Sequence, residues 1–310
     1  MSAFLSCVPV NVSTVWKQDG IRVAGCNEQN GSLGQVNLPR GIDIDDDFTL
    51  YIADHGFHRV VKWKLNATIG QVIAGGNGRG NGTDQLDYPT DVVIDRKKNT
   101  LIICDAVNSR LIRVFLHHNS ETHPTIILKD FCLNLAIDSD GTIYISDHWH
   151  GVITRWNERE SSTQIVAGGH GRGNNLDQLN SPTYFFVDQD YSIYVSDTDN
   201  HRVMKWVKDA KQGVVIVGGH DKGDKSTQLR SPKGLMIDNL NNIYVVDQEN
   251  HRVMRFSQGS RQEIILFGGN GVGNKSNQFH TPEDITFDKQ GNLYVTDYFN
   301  HRVQKFYIVN

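Results

Sequence analysis

No apolar run in the 310-residue sequence approaches the roughly 20 residues that a membrane-spanning helix needs, so nothing in it reads as a transmembrane segment. An excess of one charge is missing too. Lys and Arg number 31 against 35 Asp and Glu, a balance that offers no sequence-wide field for nucleic acid or an anionic membrane. Proline is scarce at 7, while glycine reaches 29. The cysteines Cys7, Cys26, Cys104 and Cys132 form no C-x-x-C pair and have no regular spacing, which argues against a zinc site. They read as buried free thiols, and no cofactor or metal is expected. The segment Met1 to Val10 is apolar in character but has no basic n-region and too short a core for a signal peptide. Five Asn-x-Ser/Thr sequons, at Asn11, Asn30, Asn66, Asn81 and Asn274, favour an extracellular life, with a cytoplasmic one left open.

What is present is a repeat. The pattern Asp-x-x-Asn-His-Arg-Val recurs at Asp197 to Val203, Asp247 to Val253 and Asp297 to Val303, at 50-residue intervals. Upstream it continues through Asp54, His58 and Arg59, and through Asp105, Asn108 and Arg110 with Ser109 in the His place. A degenerate copy at Asp147 carries His150, Gly151 and Val152 where the others have Asn, His and Arg. Each unit holds four short apolar runs separated by turn residues, in the fourth unit Tyr184 to Val187, Ile193 to Ser196, Arg202 to Val207 and Val214 to Val217. Four strands per unit make one propeller blade. A second aspartate closes the first strand in every copy (Asp45, Asp95, Asp138, Asp188, Asp238, Asp288). A proline opens it at Pro39, Pro89, Pro182, Pro232 and Pro282, with Cys132 in the third copy.

The expected fold is therefore all-β, a six-bladed β-propeller of four-stranded antiparallel blades. The last unit has three strands, and Ile21 to Gly25 matches the missing fourth, so the N-terminal strand is expected to close the ring by pairing into the last blade and to remove its open edge. The domain expectation is an N-terminal extension over 1-19 and one propeller domain over 20-309.

The copies of Asn200-His201-Arg202-Val203 carry a resemblance to the NHL-repeat propellers. The regular linking segments, with Gly-Gly, then Gln, then Pro, look like those of the NHL-only proteins of invertebrates such as bdelloid rotifers. The chain is also related by this motif to the propellers of tripartite-motif NHL proteins and of the peptidylglycine amidating lyase. The lyase resemblance implies zinc-binding histidines beside the strand-opening prolines. Here the residues that follow them are Arg40, Thr90, Thr183, Lys233 and Glu283, so the lyase reading loses its metal.

Residues that recur in most blades read as scaffold, because a catalytic group is needed once. The motif pairs Asp54 and Arg59, Asp105 and Arg110, Asp197 and Arg202, Asp247 and Arg252, and Asp297 and Arg302 are expected as structural ion pairs. Trp63, Trp156, Trp206, Phe256 and Phe306 are expected in the core between blades. His58, His201, His251 and His301 lie in different blades, which argues against a shared ion. The glycine segments resemble phosphate loops only superficially, since each leads into a strand and not a helix.

Function is then sought where repetition stops. The turns between second and third strands are polar in the fourth and fifth blades but carry His148, Trp149 and His150 in the third, Tyr298 and Phe299 in the sixth, and His55 and Phe57 in the first. Aromatic anchors on exposed turns suit an interface. The stretch between Asp105 and Asp138 is shortened, so a notch is expected beside Trp149, unless that ring fills the gap itself. Histidines flanking Trp149 would make binding vary between about pH 7.5 and 5.5.

The reading is of a non-catalytic interaction scaffold that binds a protein, peptide or glycan on this loop face. One alternative is a substrate-recognition or RNA-binding propeller of the ubiquitin-ligase-associated kind. Its RNA form needs a basic face, and the linking segments balance Arg79, Arg172, Lys222, Lys225, Arg230 and Lys275 against Glu28, Asp84, Asp87, Asp177, Asp221 and Asp224. The other alternative, a lyase or lactonase-like enzyme, finds no decisive acid or base.

Overall fold

The computed structural model describes residue 10 and residues 14–25, 32–116, 123–257 and 263–309. Cys7, Cys26, Asn11 and Asn30 lie outside the described residues.

Short β-branched and aromatic runs broken by turn residues form six four-stranded antiparallel sheets. Blade four shows the plan. Its strands are Pro182–Val187, Ile193–Asp197, Arg202–Trp206 and Val214–Gly218, running from the ring axis outward. The innermost strand is wholly buried, whereas the outermost exposes its first residues. The turn after the first strand is built by its aspartate: Asp188 Oδ1 accepts the backbone N–H groups of Asp190 at 2.9 Å and Ser192 at 2.8 Å. In blades one, three, five and six the second oxygen of that aspartate also accepts a tyrosine hydroxyl, from Tyr51, Tyr144, Tyr244 and Tyr294. This explains an aspartate at that address in each copy.

Closure follows the sequence expectation. Ile21–Ala24 pairs antiparallel with Arg302–Phe306 and becomes the fourth strand of blade six. The segment before residue 20, expected as an extension, contributes more than a tail. Val15–Trp16 pairs with Ile308–Val309, and Trp16, 1% exposed, meets Tyr244 and Phe267 edge-on. Trp63, Trp156, Trp206 and Phe306 are buried, with Phe256 packed partly buried against the same core.

The histidine of the motif has a physical role. In four blades a 3₁₀ turn or tight bend ends on it in the left-handed region, at φ of 51 to 52°, a conformation in which His is among the better tolerated residues. That places its Nδ1 to accept a backbone N–H just before the strand-opening proline of the next blade: His58 from Tyr88, His201 from Ser231, His251 from Thr281 and His301 from Leu38, at 3.1 to 3.2 Å. Four inter-blade staples therefore require a neutral ring. Desolvation pushes His58, His251 and His301 below the ordinary imidazole value. A base whose folded pKa is depressed stabilises the fold above the unfolded value of about 6.5 and loses that contribution as pH falls through the folded one. Replacing these three histidines with Asn should thus cost more stability at pH 7.5 than at pH 5.5. Denaturant melts at both values check this, and a cost independent of pH would refute the staple. The comparison must be wild type against variant, because buried aspartates such as Asp54, raised to about 6 by desolvation, shift the absolute curve in the opposite direction.

One cysteine expectation is corrected. Cys104 and Cys132 are not free thiols but a disulfide, which joins the second strand of blade two to the start of blade three. The reason lies in the shortened link: Cys132 takes the place of the opening proline and meets Cys104 of the neighbouring blade. This junction has Ser109 where four of the blades have the stapling histidine. By the chain-entropy argument, closing a loop of sequence separation 28 contributes about 3 to 4 kcal/mol.

Candidate functional site

Each motif aspartate ends the second strand and each motif arginine starts the third, so antiparallel pairing sets them opposite one another, as in Asp197 and Arg202. The five pairs close at 2.6 to 2.8 Å with the carboxylates fully buried. Their remaining hydrogen bonds hold the linking segment. Arg202 donates to the carbonyls of Asn174, Asn175 and Gln178, while Asp197 Oδ1 accepts the Asn180 N–H. The linking glutamine turns back on the same segment, Gln178 Nε2 reaching the His170 carbonyl at 2.9 Å. The motif is a clamp between blade and link. Its saturation leaves no group over for chemistry.

The links and the turns after the second strands share one face, bonded to each other by Gly56 N–H to Asn37 O, Asp199 N–H to Asn180 O and Phe299 N–H to His280 O. Around the channel mouth on this face run two rings of residues. One is formed by residues after the prolines, the other by residues after the motif aspartates. Four members of the second ring reach forward to the next blade: His55 Nδ1 to the Pro89 carbonyl at 3.1 Å, Thr198 Oγ1 to the Pro232 carbonyl at 2.8 Å, Gln248 Nε2 to Glu283 at 2.8 Å and Tyr298 to Arg40. The hand-off fails at two places. Ala106 in blade two has no polar group to extend, and His148 in blade three leaves its Nδ1 buried without a partner.

Where the hand-off fails, a cavity of about 550 Å³ opens, with walls that include Arg40, His55, Tyr88, Phe131, His148 and Trp149. The long links elsewhere, residues 76–88, 169–181, 219–231 and 269–281, cross this face, but between blades two and three only residues 129–134 do so. The notch expected from the shortened stretch is this cavity. Trp149 does not plug it, since its side chain is 62% exposed and stands beside His148 with ring centroids 4.7 Å apart. Below the mouth the channel is choked. Asp91 and Asp284 press against Gly41 and Gly234, where any Cβ would collide with them, and the space left among Asp43, Asp91, Asn134, Tyr184 and Asp284 is about 20 Å³, enough for about one water.

Of the residues singled out in the sequence, His55, His148 and Trp149 meet in the pocket. Tyr298 adjoins it, its ring 6.3 Å from that of His55 and 5.7 Å from the Arg40 guanidinium. Phe299 is exposed against His280, and Phe57 lies under the Arg59 guanidinium, so neither joins the cavity wall. His150 belongs to the scaffold: it occupies the Asn position of the motif, and its ring bonds to Asp147 as Asn200 bonds to Asp197. The histidines also differ electrostatically. Burial, with Arg40 beside it, pushes His55 down to about 3, and burial lowers His148, whereas the hydrogen bond to Asp147 raises His150. Arg40, Tyr88, Thr90, Val107, Phe131 and Leu133, none of them among the aromatic turn residues, also line the pocket. The signal was present in the residues after the prolines, which change charge from blade to blade.

Residues 229–256 and 279–306 match the family described as the NHL repeat. The chain carries NHL repeats within a six-bladed propeller. Solved structures share its fold at low identity. An auxiliary nutrient binding protein from Bacteroides thetaiotaomicron is 14% identical with a TM-score of 0.71, the match covering 95% of this chain and 77% of that one. A gluconolactonase from Xanthomonas campestris is 15% identical with a TM-score of 0.62, over 97% and 99% of the two chains. A virginiamycin B lyase from Staphylococcus aureus is 11% identical with a TM-score of 0.57, over 95% and 100%. At such identities the likeness concerns the fold. Among the described residues of the NHL-repeat propeller, no group of three or more His, Cys, Asp or Glu is arranged to hold a metal ion.

Proposed function

We propose that the NHL-repeat propeller is a non-catalytic binding module that takes part of a protein, peptide or glycan into the loop-face pocket. One observation carries this reading. Arg40 Nε, Thr90 Oγ1 and His148 Nδ1 are all buried without hydrogen-bond partners, and all three residues line the same cavity beside an exposed tryptophan. Buried polar atoms left unmatched cost about 1 to 3 kcal/mol each, and their convergence suits a ligand that supplies the missing partners.

Binding is favoured over catalysis by the state of the carboxylates. Burial raises Asp284 and lifts Asp91 to about 7, which would suit proton transfer. Yet Asp91 accepts the Leu135 N–H and the Asn134 amide at 2.7 Å, and Asp284 accepts the Ile42 N–H at 3.0 Å, so each ties neighbouring blades together. The space beside them holds no substrate. An extracellular setting is supported by the disulfide, together with exposed sequon asparagines Asn66, Asn81 and Asn274.

The test begins with purified protein on peptide and glycan arrays. For a ligand so identified, Trp149→Ala is expected to weaken binding by more than about 2 kcal/mol while leaving the melting temperature within experimental error. Loss of folding in this variant, or unchanged affinity, would remove the pocket from the function.

A further inference from the structure

We infer that the pocket takes a ligand bearing a single carboxylate, which turns toward Arg40 and Lys233 while an aromatic or apolar body lies against Phe131 and Trp149. This rests on the pocket being the binding site and adds the chemistry of its occupant.

The residues after the strand-opening elements form the inner ring of the mouth: Arg40, Thr90, Leu133, Thr183, Lys233 and Glu283. Two cations therefore share this ring with one anion. Among the described residues no carboxylate lies within the 4.0 Å ion-pair distance of Arg40 or Lys233, although Glu283 is close enough to act on both electrostatically. Glu283 is itself engaged by Gln248 Nε2. The more distant carboxylates that act here are already paired, Asp199 with Arg172, Glu249 with Arg230 and Asp147 with His150. Burial lowers His55 and His148 and thus keeps both neutral, while burial raises Asp91 and Asp284 and favours their protonated forms. About one positive charge is left uncompensated at a desolvated mouth.

Two further features fit that charge. Desolvation lowers Lys233, and a nearby anion would reverse the shift. Burial also opposes the Arg40 charge, though Glu283, Tyr184 and Tyr298 outweigh it and hold the guanidinium above its ordinary value. Arg40 thus stays charged, with its Nε–H undirected. Thr90 Oγ1 adds a hydroxyl donor, and His148 Nδ1 adds one in the Nδ1–H tautomer. A carboxylate accepts several such bonds at once, and charge-assisted bonds to it are the stronger kind. A dianion would bring excess negative charge beside Glu283. Beside these donors much of the wall is apolar, at Phe131, Leu133, Val107 and Trp149, which suits a body attached to the acid and not a bare ion.

Trp149 supplies the readout, being 62% exposed when the four other tryptophans are at most 6% exposed. Acrylamide quenching of native fluorescence therefore reports its shielding. Phenylacetate is to be titrated against phenylacetamide and phenyl phosphate, and a tripeptide ending in Phe with a free C-terminus against its amidated form. The carboxylates are expected to bind at least about tenfold more tightly than the matching amides, a difference of about 1.4 kcal/mol. Arg40→Met and Lys233→Met should each shrink that preference, with thermal melts to show that the variants fold. A free acid or a peptide C-terminus as source is distinguished by which carboxylate binds more tightly, and either supports the inference. Equal shielding by acids and amides overturns the carboxylate assignment and leaves the pocket as a binding site. Tighter binding of phenyl phosphate overturns the single-charge assignment. Shielding by none of the probes up to their solubility limits overturns the inference and removes support for the pocket as well.

Discussion

Deleting residues 1–25 should lower the melting temperature of the NHL-repeat propeller by roughly 10 °C or more and make it aggregate on heating. Two losses combine. The strand Ile21–Ala24 leaves Arg302–Phe306 as a bare sheet edge in blade six, and unpaired edges recruit other chains. Trp16 goes with it. That indole is fully buried, donates to the Gly291 carbonyl at 2.9 Å and packs on Tyr244 and Phe267, so Trp16→Ala alone is expected to cost about 3 to 5 kcal/mol. Comparing the deletion with the point variant separates the edge from the packing. Light scattering during the melt should rise for the deletion and much less for Trp16→Ala. A deletion protein as stable as the full chain would mean that the ring does not depend on this closure.

The second large effect belongs to the clamp. Arg202→Ala removes the partner of a carboxylate with no solvent exposure, and leaves the carbonyls of Asn174, Asn175 and Gln178 without their donor. Breaking a buried pair in this way costs about 3 to 5 kcal/mol. Lys205, three residues along the same strand, is partly exposed, and its contact with Asp188 is 3.9 Å, so Lys205→Ala should cost about 1 kcal/mol or less. Chemical denaturation of the two variants side by side is the measurement, and equal midpoints would refute the structural role of the pair. A corresponding loss in Arg59→Ala would show that the clamp works blade by blade, as its repetition implies.

The scaffold was legible because its causes are local and repeated. An Asp and an Arg five residues apart across a turn must face each other once the strands pair, and an Asp that recurs at the end of every first strand marks the turn that follows. Such statements need only the period of a β-hairpin. Histidine was legible as a motif residue but not as a staple, since its acceptor role joins His251 to Thr281 across a blade boundary. The disulfide was missed for the same reason. Nothing near Cys104 or Cys132 in the chain marks them as neighbours, and the contact exists only because the short link carries Cys132 against the preceding blade.

The pocket divides along that line. Trp149 and His148 stood out as departures from the repeat, and the shortened stretch pointed to a gap beside them. His150 departed equally, yet it only replaces an asparagine in bonding to its own aspartate. Arg40, Thr90 and Phe131 come from three blades, and no spacing along the chain announces that they share a wall with Trp149.

Period, strand pattern and blade number are properties of consecutive residues, because a hairpin is stabilised by its own neighbours, and closure followed from counting the strands at the two ends of the chain. The identity of the site required the ring. Only when six equivalent loops are set around one axis do the positions that vary between blades become adjacent, and only then can unmatched donors, a lost link and an exposed indole meet in a single cavity.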